Sequence, residues 1–271
     1  MLCTAFGLSI RSDITLPGAV TATVEVTPDL DIAYGPARRW AETVAWGPYR
    51  LRDADLFEFL MPGVARYRIE DRRRVIITPL DGADEDSVAG MLVATVLPCL
   101  LWARGEIMLH ASAIARPGSG SGILFMGPSG AGKSTRLQRA VDRGARVIAE
   151  DSVRLRLQAG EVLASGLPAG VFVRRQHSHE ERDFVSVPQG QQLIEYRVGR
   201  ILVLEPGARR ARRLGVVETM AALLRYRHRP RILRLLGSEA DFIDAFGLLA
   251  KGLRTTTARS GGPVQHVEWS V

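Results

Sequence analysis

Alternating apolar and polar positions dominate the first eighty residues. Short β-type runs at Ala22–Val26, Tyr49–Arg52, Arg66–Glu70 and Val75–Thr78 are punctuated by Pro and Gly turns, the pattern of strands that bury one face. They predict a small, mostly β, N-terminal domain. An acidic loop, Asp81–Asp86, then leads into the most apolar stretch of the chain, Val88–Ala103. This stretch contains Pro98 and is shorter than the ~20 residues a membrane span needs, so it predicts a buried helix, N-capped by Asp86 or Ser87. The acids before it lack the spacing and terminal Glu of a calcium loop.

From Ile107 the pattern becomes strand, turn, strand, helix, strand. Ile107–Ile114 reads as a strand, 116–121 as a Gly/Ser/Pro turn and Gly122–Met126 as a buried strand. Lys133–Arg143 reads as a helix stopped by Gly144, and Arg146–Ala149 as the next strand. Further β-like pieces at 153–157, 161–163, 170–173 and 198–204 precede two helical stretches, 216–236 and 239–253. Ser238 and Asp241 are spaced as a capping box for the second. There is no internal repeat.

Composition narrows the class. With 271 residues, 46% of them hydrophobic and 24% charged, the chain can bury a substantial core. Cys3 and Cys99, both in apolar surroundings, have neither disulfide nor zinc spacing. No basic leader precedes the first apolar run, so a reducing, cytoplasmic setting is expected. The net charge of +7 is diffuse apart from Arg-rich stretches at 209–213 and 225–234. The latter is expected on a helix broken at Pro230, as a solvated or oligomer-facing surface, with recognition of an acidic peptide as the functional alternative. Aromatic interleaving of the kind found in single-strand nucleic-acid grooves is missing. Neither nucleic acid nor a membrane is therefore an expected partner. Of 36 basic residues only Lys133 and Lys251 are lysines. Where arginine is the default cation, a lysine at 133 points to a need for a compact ammonium.

Candidate chemistry centres on that lysine. Gly127-Pro128-Ser129-Gly130-Ala131-Gly132-Lys133-Ser134, followed by Thr135, fits G-x-x-x-x-G-K-[ST] between a predicted strand and a predicted helix. Glycines let backbone N–H groups curl inward around phosphate, and the helix N-terminus adds partial positive charge. Lys133 can reach the outer phosphates, while the Ser134 hydroxyl can join a magnesium shell. The strand Arg146–Ala149 ends in Glu150-Asp151. If it lies beside the P-loop strand, these acids emerge near the γ-phosphate, where a metal ligand and a general base belong. His110, on the strand before the turn, shares a face with Ser112. A lone histidine on an apolar strand is usually a satisfied core residue, with a functional role as the alternative. In the mixed-charge run Arg174–Asp183, His177 and His179 lack ligand partners at suitable spacing, and a solvated loop or a substrate contact is expected there.

Three segments together resemble the HPr kinase/phosphorylase superfamily: Leu109-His110-Ala111-Ser112-Ala113, the glycine loop through Thr135, and Arg143-Gly144-Ala145-Arg146-Val147-Ile148-Ala149-Glu150-Asp151-Ser152-Val153. The likeness is to its HPr-kinase-like branch, some of whose members act on serine in lasso-peptide precursors or on other small substrates. It covers about 107–215, and Phe6-Gly7-Leu8-Ser9-Ile10-Arg11-Ser12 with its β-rich continuation is similar as well. The resemblance implies an α/β fold: a β-rich N-terminal domain over 1–105 ending in the apolar helix, then a P-loop kinase domain over 106–271 with C-terminal helices. It implies ATP and Mg2+ as cofactors and assembly into a homo-oligomer. It also implies that His110, Lys133, Glu150 and Asp151 form the catalytic group, with Ser134 and Asp151 toward the metal. Glu150 replaces the first Asp of the family's tandem pair, which leaves open which acid is base and which faces the metal. The strict downstream motif of true HPr kinases is missing, so HPr itself is not the expected substrate. The expected reaction is transfer of the γ-phosphate of ATP to a hydroxyl, on serine of a precursor peptide or on a small molecule such as free serine. A nucleotide sensor without transfer is the alternative from another class.

Overall fold

The computed structural model describes residues 1–38, 44–174, 182–208 and 210–260. Nine strands form the N-terminal sheet: β1 (Leu2–Ala5), β2 (Leu8–Ser12), β3 (Val20–Thr21), β4 (Leu30–Tyr34), β5 (Val44–Trp46), β6 (Tyr49–Leu51), β7 (Leu56–Met61), β8 (Ala65–Glu70) and β9 (Arg74–Pro79). Their order is β3-β1-β2-β4-β9-β8-β7-β6-β5. Strands expected around 49–52, 66–70 and 75–78 are present, but Ala22–Val26 is not one. Its alternating valines Val24 and Val26 are exposed, so no buried face holds that segment in a ladder. The β1–β2 hairpin turns through Phe6 (φ 54°) and Gly7 (φ 68°), the left-handed pair that suits strand twist.

The apolar stretch is helical and buried, in three parts: α1 (Glu85–Met91), a π turn (Leu92–Val96) and α2 (Leu97–Ala103). By length and composition Glu85–Ala103 could span a membrane, yet 72% of its apolar window is buried inside the fold. Its N-cap is Asp84, whose carboxylate accepts the Ser87 amide at 2.8 Å, not Asp86 or Ser87. The cap falls two or three residues earlier, and Glu85 and Asp86 occupy the first turn, where acids favour the helix dipole.

A second, seven-stranded sheet is built from β10 (Ile107–Ala115), β11 (Gly122–Met126), β12 (Arg146–Ala149), β13 (Ser152–Gln158), β14 (Glu161–Ser165), β17 (Glu195–Glu205) and β18 (Arg254–Arg259), while β15 (Gly170–Arg174) and β16 (Arg182–Ser186) pair separately. β11, β17 and β18 run parallel. β10 is long enough to serve several neighbours: 107–110 pair with β13, 111–114 with β11, and 113–115 with β12. The strand after the P-loop helix therefore does not lie beside the P-loop strand, as the sequence reading supposed. The hairpin strand β10 is interposed. Because β11 and β12 are both antiparallel to β10, their C-terminal ends still point the same way.

Helix α3 (Lys133–Val141) packs on this sheet, and α4 (Val216–Arg225), α5 (Arg231–Leu236) and α6 (Ile243–Gly252) close the fold. At α4 the Gly215 N–H donates to Glu218 Oε2 at 3.0 Å, half of a capping box, since glycine has no side chain to return the bond. Ser238 and Asp241 share only a backbone bond. One continuous hydrophobic core joins Ile10, Phe57 and Ile77 of the N-terminal sheet to Leu100 and Trp102 of α2, to Met108 and Leu109 of β10, and to Phe246 of α6. A smaller core under α3 holds Phe125, Leu137, Val147 and Leu204. Buried Arg154 of β13 clasps Glu106 and also donates to Phe6 O at 2.8 Å, fastening the β1–β2 turn to the second sheet.

Candidate active site

The glycine loop joins β11 to α3. Gly130 (φ 79°) and Gly132 (φ 91°) adopt left-handed backbone, which costs other residues energy. At Gly127 the constraint is space: a Cβ would stand 2.8 Å from Leu204 O and 3.0 Å from Leu204 Cβ. Gly132 is the N-cap of α3 and has no side chain to cap it, so the helix's first amides remain directed at whatever occupies the loop. The Lys133 ammonium is buried and donates to Gly127 O at 3.0 Å and Pro128 O at 3.3 Å. At the second residue of the helix, Ser134 Oγ donates to Glu150 Oε1 at 2.8 Å.

A three-residue turn separates the two acids. Ser152 N–H donates to Glu150 O at 2.7 Å around Asp151, whose φ is 64°. Positive φ in a non-glycine residue stores strain, and such strain collects at functional sites. Its effect here is to send neighbouring carboxylates to different places. Glu150 is buried at 4% exposure against Ser134, whereas the Asp151 side chain is 30% exposed and lies 3.3 Å from His110 Nδ1. His110 Nδ1 is also 3.2 Å from Asp151 O. Both oxygens accept, so this nitrogen carries the proton. Burial holds the His110 pKa below the usual value; Asp151 opposes the shift and Lys133 reinforces it. Ser112, two residues on, is fully buried.

The second histidine of the site, His228, was not singled out by sequence. Segment 226–228 docks along β10: His110 N–H donates to Tyr226 O at 2.7 Å and His228 N–H to Met108 O at 2.9 Å. This stacks the two imidazoles 5.7 Å apart. Trp102 Nε1 donates to His228 O at 2.6 Å. His228 Nε2 donates to Ala94 O at 3.0 Å, with Ser152 Oγ 3.2 Å from the same nitrogen. Ala94 O is available for a reason readable in the chain. In an α-helix its partner would be the N–H of residue 98, and Pro98 has none. Ala94 lies within the π turn at Leu92–Val96, and its carbonyl accepts from His228 and from Arg229 Nε at 3.2 Å. A carbonyl only accepts, so His228 is fixed as the Nε2–H tautomer. Burial pushes its pKa down to about 4.

His110, Asp151 and His228 line a cavity of about 340 Å3 with Gly127, Pro128, Arg225, Arg227 and Arg229. Part of the Arg-rich 225–234 stretch, expected as a solvated or oligomer-facing surface, thus edges the P-loop. Arg227, 18% exposed in its side chain, is held by Leu224 O and Glu239. His177 and His179 lie outside the described residues. The ligand-type atoms of His110, Asp151 and His228 fall within 4.8 Å of one another, two imidazoles and a carboxylate, a donor set that suits a transition metal rather than magnesium. Ser134 Oγ and Glu150 instead offer the oxygen donors that magnesium prefers.

No family model matches the chain, and no curated protein matches it. Among solved structures, the HPr(Ser) kinase/phosphatase from Coxiella burnetii aligns at a TM-score of 0.38 and 12% sequence identity, covering 60% of this chain and 84% of that one.

Proposed function

We propose that this protein is a Mg·ATP-dependent phosphotransferase that moves a γ-phosphoryl group to a hydroxyl. The single observation that carries this reading is the convergence at one loop mouth of uncapped helix amides, the Lys133 ammonium, the Ser134–Glu150 pair and the half-exposed Asp151. Mg·ATP would supply the transferable phosphoryl group and part of the charge that offsets it. The glycine-loop amides and Lys133 bind and orient the phosphates, with Lys133 exchanging the Gly127 and Pro128 carbonyls for phosphate oxygens. Ser134 and Glu150 form the metal-facing side. Asp151, open to the cavity, is the better placed base: its carboxylate accepts the acceptor's hydroxyl proton as the new O–P bond forms and the bond from the γ-phosphorus to the bridging oxygen breaks, the electron pair leaving with ADP. His110, donating from Nδ1, holds Asp151 in position. This assignment resolves the two acids differently from the expectation that Asp151 faces the metal.

The acceptor we favour is serine on a precursor peptide, such as those of lasso-peptide maturation, with free serine as the small-molecule alternative. Arg225, Arg227 and Arg229 at the cavity rim suit an acceptor that carries carboxylate. Labelled ATP with magnesium, offered to free serine, to peptides ending in serine and to carrier proteins, tests the reading. Lys133→Ala should nearly abolish transfer. Asp151→Asn should keep nucleotide affinity within about threefold while transfer falls by 10²-fold or more, on the order expected for loss of a general base. Nucleotide binding without transfer to any hydroxyl would instead identify a sensor.

A further inference from the structure

His110, Asp151 and His228 reach the cavity beside the glycine loop from three parts of the chain: strand β10, the tight turn after β12, and the segment that follows α4. Each brings a ligand-type atom, and the three atoms lie within 4.8 Å of one another. A point central to three atoms so placed is no more than about 2.8 Å from each, so side-chain shifts under about 1 Å reach the roughly 2.0–2.2 Å at which zinc takes nitrogen and oxygen ligands.

The imidazoles are held as metal ligands are held. A metal-binding histidine commonly gives its other ring N–H to a carbonyl or carboxylate, which fixes tautomer and orientation. His228 gives Nε2–H to Ala94 O, and its lone pair stays on Nδ1. His110 gives Nδ1–H to the Asp151 oxygens, and its lone pair stays on Nε2. Trp102 anchors the backbone of His228 through its carbonyl, and the left-handed backbone at Asp151 places that carboxylate against His110. The guanidiniums of the cavity are engaged elsewhere: Arg227 with Glu239, Arg229 with Ala94 O, and Arg225 over the Tyr226 ring. The charge they add favours an anion, such as hydroxide or phosphate, at a fourth position facing the cavity.

We propose that His110, Asp151 and His228 bind a divalent transition ion of the zinc class, with the fourth position open to the cavity. Two imidazoles and one carboxylate suit zinc and discriminate against magnesium, which keeps to oxygen donors. Binding of the ion does not depend on phosphotransfer. Its consequence rests on the reading of Asp151 as base: a carboxylate engaged by zinc no longer accepts the acceptor's proton, so the ion inhibits transfer.

Calorimetric titration of the chelator-stripped full chain with zinc, without nucleotide and in excess magnesium, tests the site. One saturable binding event is expected. His228→Gln keeps a donor to Ala94 O but removes Nδ1, and Asp151→Asn keeps a residue that tolerates left-handed backbone. Each should bind zinc at least about tenfold more weakly, with an unchanged far-ultraviolet circular dichroism spectrum. The His177→Asn/His179→Asn double variant leaves all three ligands in place and should retain the event. Cobalt in place of zinc should give the visible absorption of a low-coordinate site in the parent and lose it in both single variants. Such binding in a chain that transfers no phosphate still supports the site and refutes the phosphotransfer reading alone. Undiminished zinc binding in either single variant, its loss in the double variant, or no saturable zinc binding by the parent overturns the inference.

Discussion

Acidification should weaken the fold through His228, and the size of the effect follows from its surroundings. In the folded chain this imidazole is 5% exposed and its pKa is pushed to about 4 from 6.5, mainly by burial; Arg229 and His110 add to the shift, while the Ala94 hydrogen bond and Asp151 oppose it. Below pH 6.5 the unfolded chain takes up a proton that the folded chain refuses. Stability is therefore fully present above that pH, declines as pH falls toward 4, and levels off below. At ~1.4 kcal/mol per pH unit the interval amounts to about 3 kcal/mol, a large share of the 5–15 kcal/mol by which domains are typically stable. His110 shifts in the same direction and adds to it. His228→Gln isolates the contribution, since its amide can still donate to Ala94 O but does not titrate. Urea unfolding at several pH values between 4 and 7 should show the stability of the parent falling about 3 kcal/mol further than that of the variant. Parallel curves for the two proteins would refute the assignment of His228 as a buried neutral imidazole.

Two further substitutions probe the local arguments. Gly127→Ala places a methyl group 2.8 Å from Leu204 O; it should destabilise by about 1–3 kcal/mol in thermal or urea unfolding and sharply weaken binding of a fluorescent ATP analogue. Pro98→Ala supplies an N–H that competes with His228 for Ala94 O; ring 15N shifts should show a smaller fraction of the Nε2–H tautomer at His228, and an unchanged tautomer would mean that Pro98 does not free that carbonyl.

Local sequence determined the elements whose cause is local. The glycine loop, the strand before it and the helix after it follow from residue types that permit left-handed backbone and from hydrophobic runs of suitable length, and they stand where the pattern puts them. The buried helix over the apolar stretch and the sharp stop at Gly144 (φ 82°) were legible for the same reason. Ala22–Val26 shows the limit: alternation predicts a strand only when another surface covers one face, and none covers this one.

What the tertiary structure alone decided is which distant segments meet. The insertion of β10 between β11 and β12 depends on one nine-residue strand serving neighbours on both edges, a matter of global pairing that periodicity cannot encode. The separation of Glu150 from Asp151 comes from a tight turn whose strain is held by the sheet around it. His228 reached the site only because a segment over a hundred residues downstream docks on β10. The carbonyl that receives it was nevertheless marked in the sequence by Pro98. A missing amide identifies an orphan acceptor in the chain, but only folding chooses the donor that answers it.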